Sequence, residues 1–382
     1  MTPTRRAVTF GLALMALKAC GTGMSGSAPP AVSRDPDLIP TRTPGWSSWV
    51  AGFRPRAEAA GLDAGTIDRA FSEAGYMPGV IERDRNQAEF SRTLEDYLQI
   101  TASEEKVANG RAAFARQRDT LAAIEAQYGV PAETVAAIWG VESNFGERRG
   151  DIPLVSALST LAYEGRRGAF FEQQLIAALR ILQSGDTAPE TLVGSWAGAM
   201  GHTQFIPTSY QAHAVDFTGD GRRDIWSSNP ADALASAANY LAQAGWRSGE
   251  PWGYEITPAR QGSGGRVIQP QPGGPSFRVF HNFDVIQRYN NSVSYAVGVG
   301  HLSDRIAGGG PIQGRFPPDQ YGLTLAQRQD LQRRLTRAGY DAGSPDGVIG
   351  SGTEDAITGY QSANGLAVTG NPSVSLLQRL GG

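Results

Sequence analysis

Cysteine is all but missing from this 382-residue chain: there is one, Cys20, so no disulfide can form within it. Histidine is nearly as scarce. The four residues His202, His213, His281 and His301 show no H-x-x-x-H or H-E-x-x-H spacing, which removes the usual zinc patterns. Nor is there an excess of basic charge. The formal net charge is −3 at pH 7, whereas a nucleic-acid binder normally carries a basic stripe. No stretch reaches the roughly 18 consecutive apolar residues that a membrane-spanning helix needs. What remains is the composition of a folded, water-facing protein. Hydrophobic residues make up 40% and charged residues 19%, too apolar for wholesale disorder. The length suggests two or three domains.

The single cysteine matters for its place. Arg5 and Arg6 precede an apolar run from Ala7 to Leu17, and the chain then reads Leu17-Lys18-Ala19-Cys20-Gly21. A basic start followed by about ten apolar residues is the pattern of a secretory signal peptide. The Leu-x-Ala-Cys ending resembles a bacterial lipobox, in which Cys20 becomes the lipidated first residue, although Lys18 stands where a small or uncharged residue is usual. An ordinary signal peptide, cut elsewhere, is the other reading. Both take the protein out of the cytoplasm, to the periplasm. Residues 21–44 are rich in Gly, Ser, Pro and Thr, as a flexible tether would be.

From Trp46 to about Asp304 the pattern is mainly helical, with Gly262–Gly274 reading as a loop or hairpin. A Gly/Pro run, Gly308–Pro318, then sets off a tail of independent character. The expected division is a signal peptide over 1–20, tether 21–44, main domain 45–306, linker 307–322 and a small domain 323–382. In the tail, Thr324 and Gln327 form a capping box ahead of a helix carrying Leu331 and Leu335. Thr353 is placed to cap a second helix with Ile357, Tyr360 and Gln361, and Ser373 a third with Leu376, Leu377 and Leu380.

One carboxylate stands out. In Gly129-Val-Pro131-Ala-Glu-Thr-Val135-Ala-Ala-Ile138-Trp139-Gly-Val-Glu142-Ser143-Asn144-Phe145-Gly146, the residues Val135, Ile138, Trp139 and Glu142 fall at i, i+3, i+4 and i+7. Glu142 thus shares a helical stripe with three apolar side chains, where a solvated glutamate would not be placed. A carboxyl group against an apolar surface resists ionisation. That is the property a general acid needs to protonate a glycosidic oxygen. From spacing alone, a buried salt bridge or a helix-end interaction competes with that role.

The segment WGVESNFG, with Ala157-Leu-Ser-Thr-Leu161-Ala-Tyr163, Arg166-Arg167 and Phe170-Phe171 after it, resembles the catalytic region of the membrane-bound lytic murein transglycosylase B family. Gly194-Ser195-Trp196-Ala-Gly-Ala-Met200-Gly-His-Thr-Gln204-Phe205-Ile-Pro-Thr-Ser-Tyr210 and Tyr289-Asn290-Asn-Ser-Val-Ser-Tyr295 follow in the family's order. The tail pattern LQRRL…GY…DG…YQ…GL..TG resembles a peptidoglycan-binding domain. The resemblance implies a mainly α (α+β) architecture, a lysozyme-like catalytic domain followed by a three-helix domain. It implies cleavage of the MurNAc-GlcNAc β-1,4 bond of peptidoglycan with a 1,6-anhydroMurNAc end, and Glu142 as acid and then base. Ser195, Met200 and Gln204 would line the glycan cleft, and Tyr289, Asn290 and Tyr295 its second wall. Arg166 and Arg167 could meet MurNAc carboxylates or peptide stems, or form a solvated turn. Trp196, Phe205 and Tyr210 read as core. A hydrolytic muramidase would want a second acid, for which Glu147 and Asp151 are nearest; a non-catalytic peptidoglycan-binding lipoprotein is the third reading.

Finally, Asp216-Phe-Thr218-Gly-Asp220-Gly221-Arg222 has oxygen ligands at positions 1, 3 and 5 and Gly at 6, as a calcium loop does. Ser227 stands at position 12. In the family such a loop is closed by a later Asp, here Asp232, although two extra residues separate it from Trp226. The expectation is a structural calcium site or a plain Asp/Gly turn. No cofactor is required.

Overall fold

The computed structural model describes residues 35–85 and 92–381, so Cys20 and the anchor and signal assignments lie outside the described residues. The described chain is mostly helical, with two small antiparallel sheets. No helix among the described residues is long and apolar enough to cross a membrane. Residues group into two compact units, each assembled from separated stretches.

The first unit holds residues up to 85, 108–248 and 288–291. Its first two helices start where short polar side chains can accept the free N–H groups of a first turn. Thr43 accepts from the Trp46 N–H ahead of Pro44–Ala59, and Asp63 from the Thr66 N–H ahead of Ala64–Phe71. Left-handed glycines end several of them, among them Gly129, Gly165 and Gly185. Helices Leu154–Glu164 and Gly168–Ser184 form the centre, burying Leu158, Leu161, Phe171, Leu175 and Leu179 against Trp46, Phe53 and Phe71. Strand β1 (Ile152–Pro153) pairs antiparallel with β2 (Val193–Gly194). Helix Ala132–Ser143 packs against Arg118–Tyr128 and Ala231–Gln243.

The second unit comprises 92–107, 249–287 and 292–381. The Gly262–Gly274 region contributes β4 (Arg266–Ile268) to a three-stranded sheet. There β5 (Phe277–Val279) lies between β4 and β3 (Gly253–Glu255). The tail forms helices Leu325–Arg337, Ser351–Ala363 and Val374–Arg379 around Leu331, Leu335, Ile357, Leu376 and Leu377. The Thr324 capping box and the Ser373 cap are present. Thr353 is a correction. Gly350 takes the capping position, and Thr353 sits inside the helix, buried, donating to the Ala342 carbonyl and accepting from Gln332 Nε2.

The Gly308–Pro318 run does not hang free. The Glu255 carboxylate accepts from the backbone N–H groups of Gln313 (2.8 Å) and Gly314 (2.6 Å). Beyond it Arg328, 2% exposed, joins the first tail helix to helix Leu94–Thr101. Its guanidinium donates to Glu95 (3.0 Å), Asp96 (2.7 Å), Asp319 (3.3 Å) and the carbonyls of Leu323 and Gly347. These five contacts equal its donor capacity. The tail is therefore part of a larger unit rather than a module on a loose tether.

Candidate active site

Glu142 occupies the last turn of helix Ala132–Ser143. The expected one-sided apolar stripe is not what forms. From Thr134 to Ser143 every residue is buried except Glu142, because helices Arg118–Tyr128 and Ala231–Gln243 and the turn carrying His202 cover this helix. Partial exposure, not membership of a stripe, sets Glu142 apart.

The chain then leaves the helix through an uncommon turn. Asn144 and Phe145 have φ of 52° and 57°, and Gly146 follows at 87°. A left-handed backbone costs a non-glycine residue roughly 1–2 kcal/mol. Among the described residues only Gln204, φ 52°, shares it with Asn144 and Phe145. The Gln204 amide reaches this same region, donating to the carbonyls of Arg149 (3.1 Å) and Gly201 (2.9 Å). Strained backbone thus collects beside the partly exposed carboxylate in the last turn of the helix. At Gly146 no side chain fits, since a Cβ would lie 2.5 Å from His202 Nδ1.

Residues 194–205 fold into a tight double turn. Ser195 receives the Ala199 N–H on its hydroxyl (3.0 Å), and Met200 and Phe205 exchange backbone hydrogen bonds of 2.9 and 3.1 Å. Met200 is fully buried in the core, which corrects its placement on a glycan-facing surface. Trp196, Phe205 and Tyr210 are core, as their apolar character implied. Gln204 is 9% exposed, with its amide nitrogen committed to main-chain carbonyls. Tyr289 donates to the Thr203 carbonyl at 2.7 Å. Burial, and after it the negative charge of Glu142, holds the Tyr289 phenol protonated well beyond its usual range. That coupling brings Tyr289 and Glu142 to one locality. Asn290 is 8% exposed, and its Oδ1 has no hydrogen-bond partner within the protein. Tyr295 lies buried in the first turn of helix Val293–Ile306.

Arg166 and Arg167 turn elsewhere. Both guanidiniums pair with the buried carboxylate of Asp84, and Arg167 also lies over the Phe171 ring. A buried carboxylate needs such partners, so these arginines hold a helix junction together, while Arg166 keeps half of its side chain exposed. Glu147 is exposed and pairs with the Asn144 amide; Asp151 is exposed.

In the aspartate loop, the carboxylates of Asp216, Asp220 and Asp232 offer oxygens within 4.8 Å of one another. Asp232 reaches the loop from the first turn of helix Ala231–Gln243. Its oxygens accept from the N–H groups of Phe217, Thr218 and Asp224, so the two extra residues before it are accommodated. Asp216 gathers the N–H groups of Gly219, Asp220 and Gly221. Thr218 donates its hydroxyl to Asp216, and the Arg222 N–H donates to Asp220. Three carboxylates drawn this close form a donor set that fits a hard, oxygen-liganded ion.

Reading the sequence passed over His202 and Arg149. Arg149 donates to the carbonyls of Trp226 (2.6 Å) and Ser227 (2.7 Å). A histidine in the middle of a glycine-rich motif was the available signal.

Comparison with known proteins bears on this geometry. The family profile described as "Transglycosylase SLT domain" matches residues 45–267 and 258–304, and "Putative peptidoglycan binding domain" matches 324–380. The membrane-bound lytic murein transglycosylase B of Escherichia coli (strain K12) is 29% identical over 287 residues, covering 65% of this chain and 79% of that protein. SltB3 from Pseudomonas aeruginosa, solved with NAG-anhNAM-pentapeptide, is 42% identical. The match covers 88% of this chain and 100% of that one, with a TM-score of 0.69. Escherichia coli Slt35, solved with calcium, is 26% identical over 72% of this chain and 98% of its own, with a TM-score of 0.60. With the profile spanning most of the chain and Glu142 on its enclosed helix, the chain belongs to the transglycosylase SLT family, as a lytic transglycosylase with a C-terminal peptidoglycan-binding domain.

Proposed function

We propose that Glu142 is the acid and then the base with which this lytic transglycosylase opens the MurNAc-GlcNAc bond of peptidoglycan. The observation that carries the reading is its isolation: the one partly exposed residue between Thr134 and Ser143, with its charge facing Tyr289. Glu142 gives its proton to the glycosidic oxygen, the C1–O bond breaks and positive charge develops on the sugar ring. The resulting carboxylate removes the proton of the MurNAc C6 hydroxyl, whose oxygen bonds to C1. Glu142 ends protonated again, and no water is consumed. Tyr289, held as a neutral phenol by burial, hydrogen-bonds the Thr203 carbonyl beside Glu142. Asn290 Oδ1 and Ser195 are the polar groups offered to acetamide or hydroxyl groups of the glycan. The complex of SltB3 with an anhydro sugar supports the same product class for this chain.

The aspartate loop is proposed to hold calcium through Asp216, Asp220 and Asp232, with Thr218 and Arg222 supplying further oxygens. Its contribution would be structural, tying the loop to helix Ala231–Gln243. A cell-wall site of action supports a periplasmic location. Lipidation at Cys20 and an outer-membrane anchor are supported by the lipobox-like sequence alone.

Digestion of purified peptidoglycan with the wild type and with Glu142→Gln, followed by mass spectrometry, tests the assignment. Fragments one water lighter than hydrolytic products are expected from the wild type and not from the variant. Reducing ends from the wild type would mean hydrolysis and a second carboxylate. Cleavage persisting in Glu142→Gln would remove Glu142 from the chemistry.

A further inference from the structure

His202 is 4% exposed and sits behind the end of the Glu142 helix. Its contacts bracket Glu142 in sequence. The Trp139 indole N–H, one turn before, donates to His202 Nδ1 at 3.1 Å. The Ser143 hydroxyl, one residue after, donates to the His202 carbonyl at 2.6 Å and accepts the Gly146 N–H at 3.0 Å. An indole N–H can only donate, so Nδ1 accepts and the ring proton belongs on Nε2. There it meets the Ser227 carbonyl at 2.8 Å. The His202 N–H is anchored as well, on the Ile225 carbonyl at 3.1 Å.

One residue is therefore fixed on one side to the segment 225–227 and on the other to both neighbours of the reactive turn. The left-handed pair Asn144–Phe145 lies within this frame. Phe145 packs edge-on against Trp139 (5.8 Å between centroids), and Gly146 leaves the space the imidazole fills. Unfavourable backbone persists only where its surroundings over-determine it, and His202 supplies those surroundings. Burial keeps the ring neutral, with a pKa lowered to about 4. The donor-and-acceptor arrangement is therefore intact at working pH.

We infer that His202 is a positioning residue for Glu142, locking the last turn of its helix through Trp139 and Ser143 so that the carboxyl meets the glycosidic oxygen in a reactive orientation. This rests on Glu142 being the acid/base. His202 itself exchanges no proton with the substrate. What it governs is the orientation of the carboxyl, which enters kcat more than ground-state binding.

The test uses the mature full-length protein and solubilised glycan strands at pH 7. His202→Phe keeps a flat ring but removes both ring hydrogen bonds. His202→Gln restores an acceptor for Trp139 and a donor for Ser227. The expected result for His202→Phe is a fall in kcat of about ten- to a hundredfold with KM nearly unchanged. His202→Gln should recover most of that loss. Trp139→Phe removes only the indole donor and should lower kcat without raising KM. The double variant should be little worse than His202→Phe, because the two residues act as one unit. If His202→Phe does not fold, Trp139→Phe decides the matter. Folded His202→Phe or Trp139→Phe protein with wild-type kcat would overturn the inference, as would equal losses in the Gln and Phe variants. Activity retained by Glu142→Gln would instead overturn the assignment beneath it, so the two failures are separable.

Discussion

At His202 burial outweighs every neighbouring charge, and at His301 burial acts together with the adjacent Arg305; both rings are held at a pKa of about 4. Folded, they are neutral; unfolded, they take up protons near 6.5. The stability they contribute is complete above about pH 6.5 and is lost as the pH falls towards 4. Each accounts for about 3 kcal/mol over that window. The melting temperature should therefore decline steadily between pH 7 and 4.5, and His202→Gln should decline less. An identical decline in the variant would exclude His202 as one of the responsible groups. Neither ring could be identified this way from the sequence, because four scattered histidines carry no sign of which are enclosed. The same holds for Arg166 and Arg167. A charged pair near a cleft motif reads as substrate contact or solvated turn, and nothing local points to Asp84, 82 and 83 positions earlier, as the shared partner.

Helices were the most legible elements where a cap announced them. Thr324 with Gln327, and Ser373, start helices where their hydrogen-bonding chemistry predicts. Thr353 misleads because threonine also serves inside a helix when its hydroxyl finds buried partners. Glu142 was legible as a residue but not in its setting, since periodicity cannot distinguish a helix with one apolar stripe from one enclosed on every side. The aspartate loop was legible in composition, and the fold supplies what spacing left open, the approach of Asp232. Calcium at 100 times its dissociation constant should raise stability by about 2.7 kcal/mol. A melting temperature that rises with calcium, falls with a chelator and responds to neither in Asp220→Ala is the expected pattern. Equal melting temperatures in calcium and chelator would leave the loop an acid-rich turn without a metal.

Across the molecule, the family profiles end and begin on either side of the glycine- and proline-rich run, at 304 and 324, while contact packing draws residues 92–107 and 249–287 together with the tail. Residues 92–107 lie far from the tail in sequence yet share its unit, packed on helix Val293–Ile306 and joined to the tail by Arg328. No local pattern encodes such a partnership; Glu95 and Asp96 look like ordinary first-turn acids. Glu95 is shifted towards protonation by burial, with Arg328 pulling the other way. Removing the cation leaves those acids enclosed without a partner, a loss of about 3–5 kcal/mol. Arg328→Met should lower the melting temperature accordingly, and adding Glu95→Gln and Asp96→Asn should restore part of it. A melting temperature unchanged in Arg328→Met would show that the packed apolar residues of the tail hold it without this cluster.

The buried guanidinium has a consequence for a severed chain. Gly308, Gly309 and Gly310 are exposed, and a protease that cuts there breaks the covalent path to the tail. Arg328 still clasps Glu95 and Asp96 from across the cut. The two pieces should separate on a denaturing gel yet travel as one species through a sizing column, a nicked protein that does not come apart.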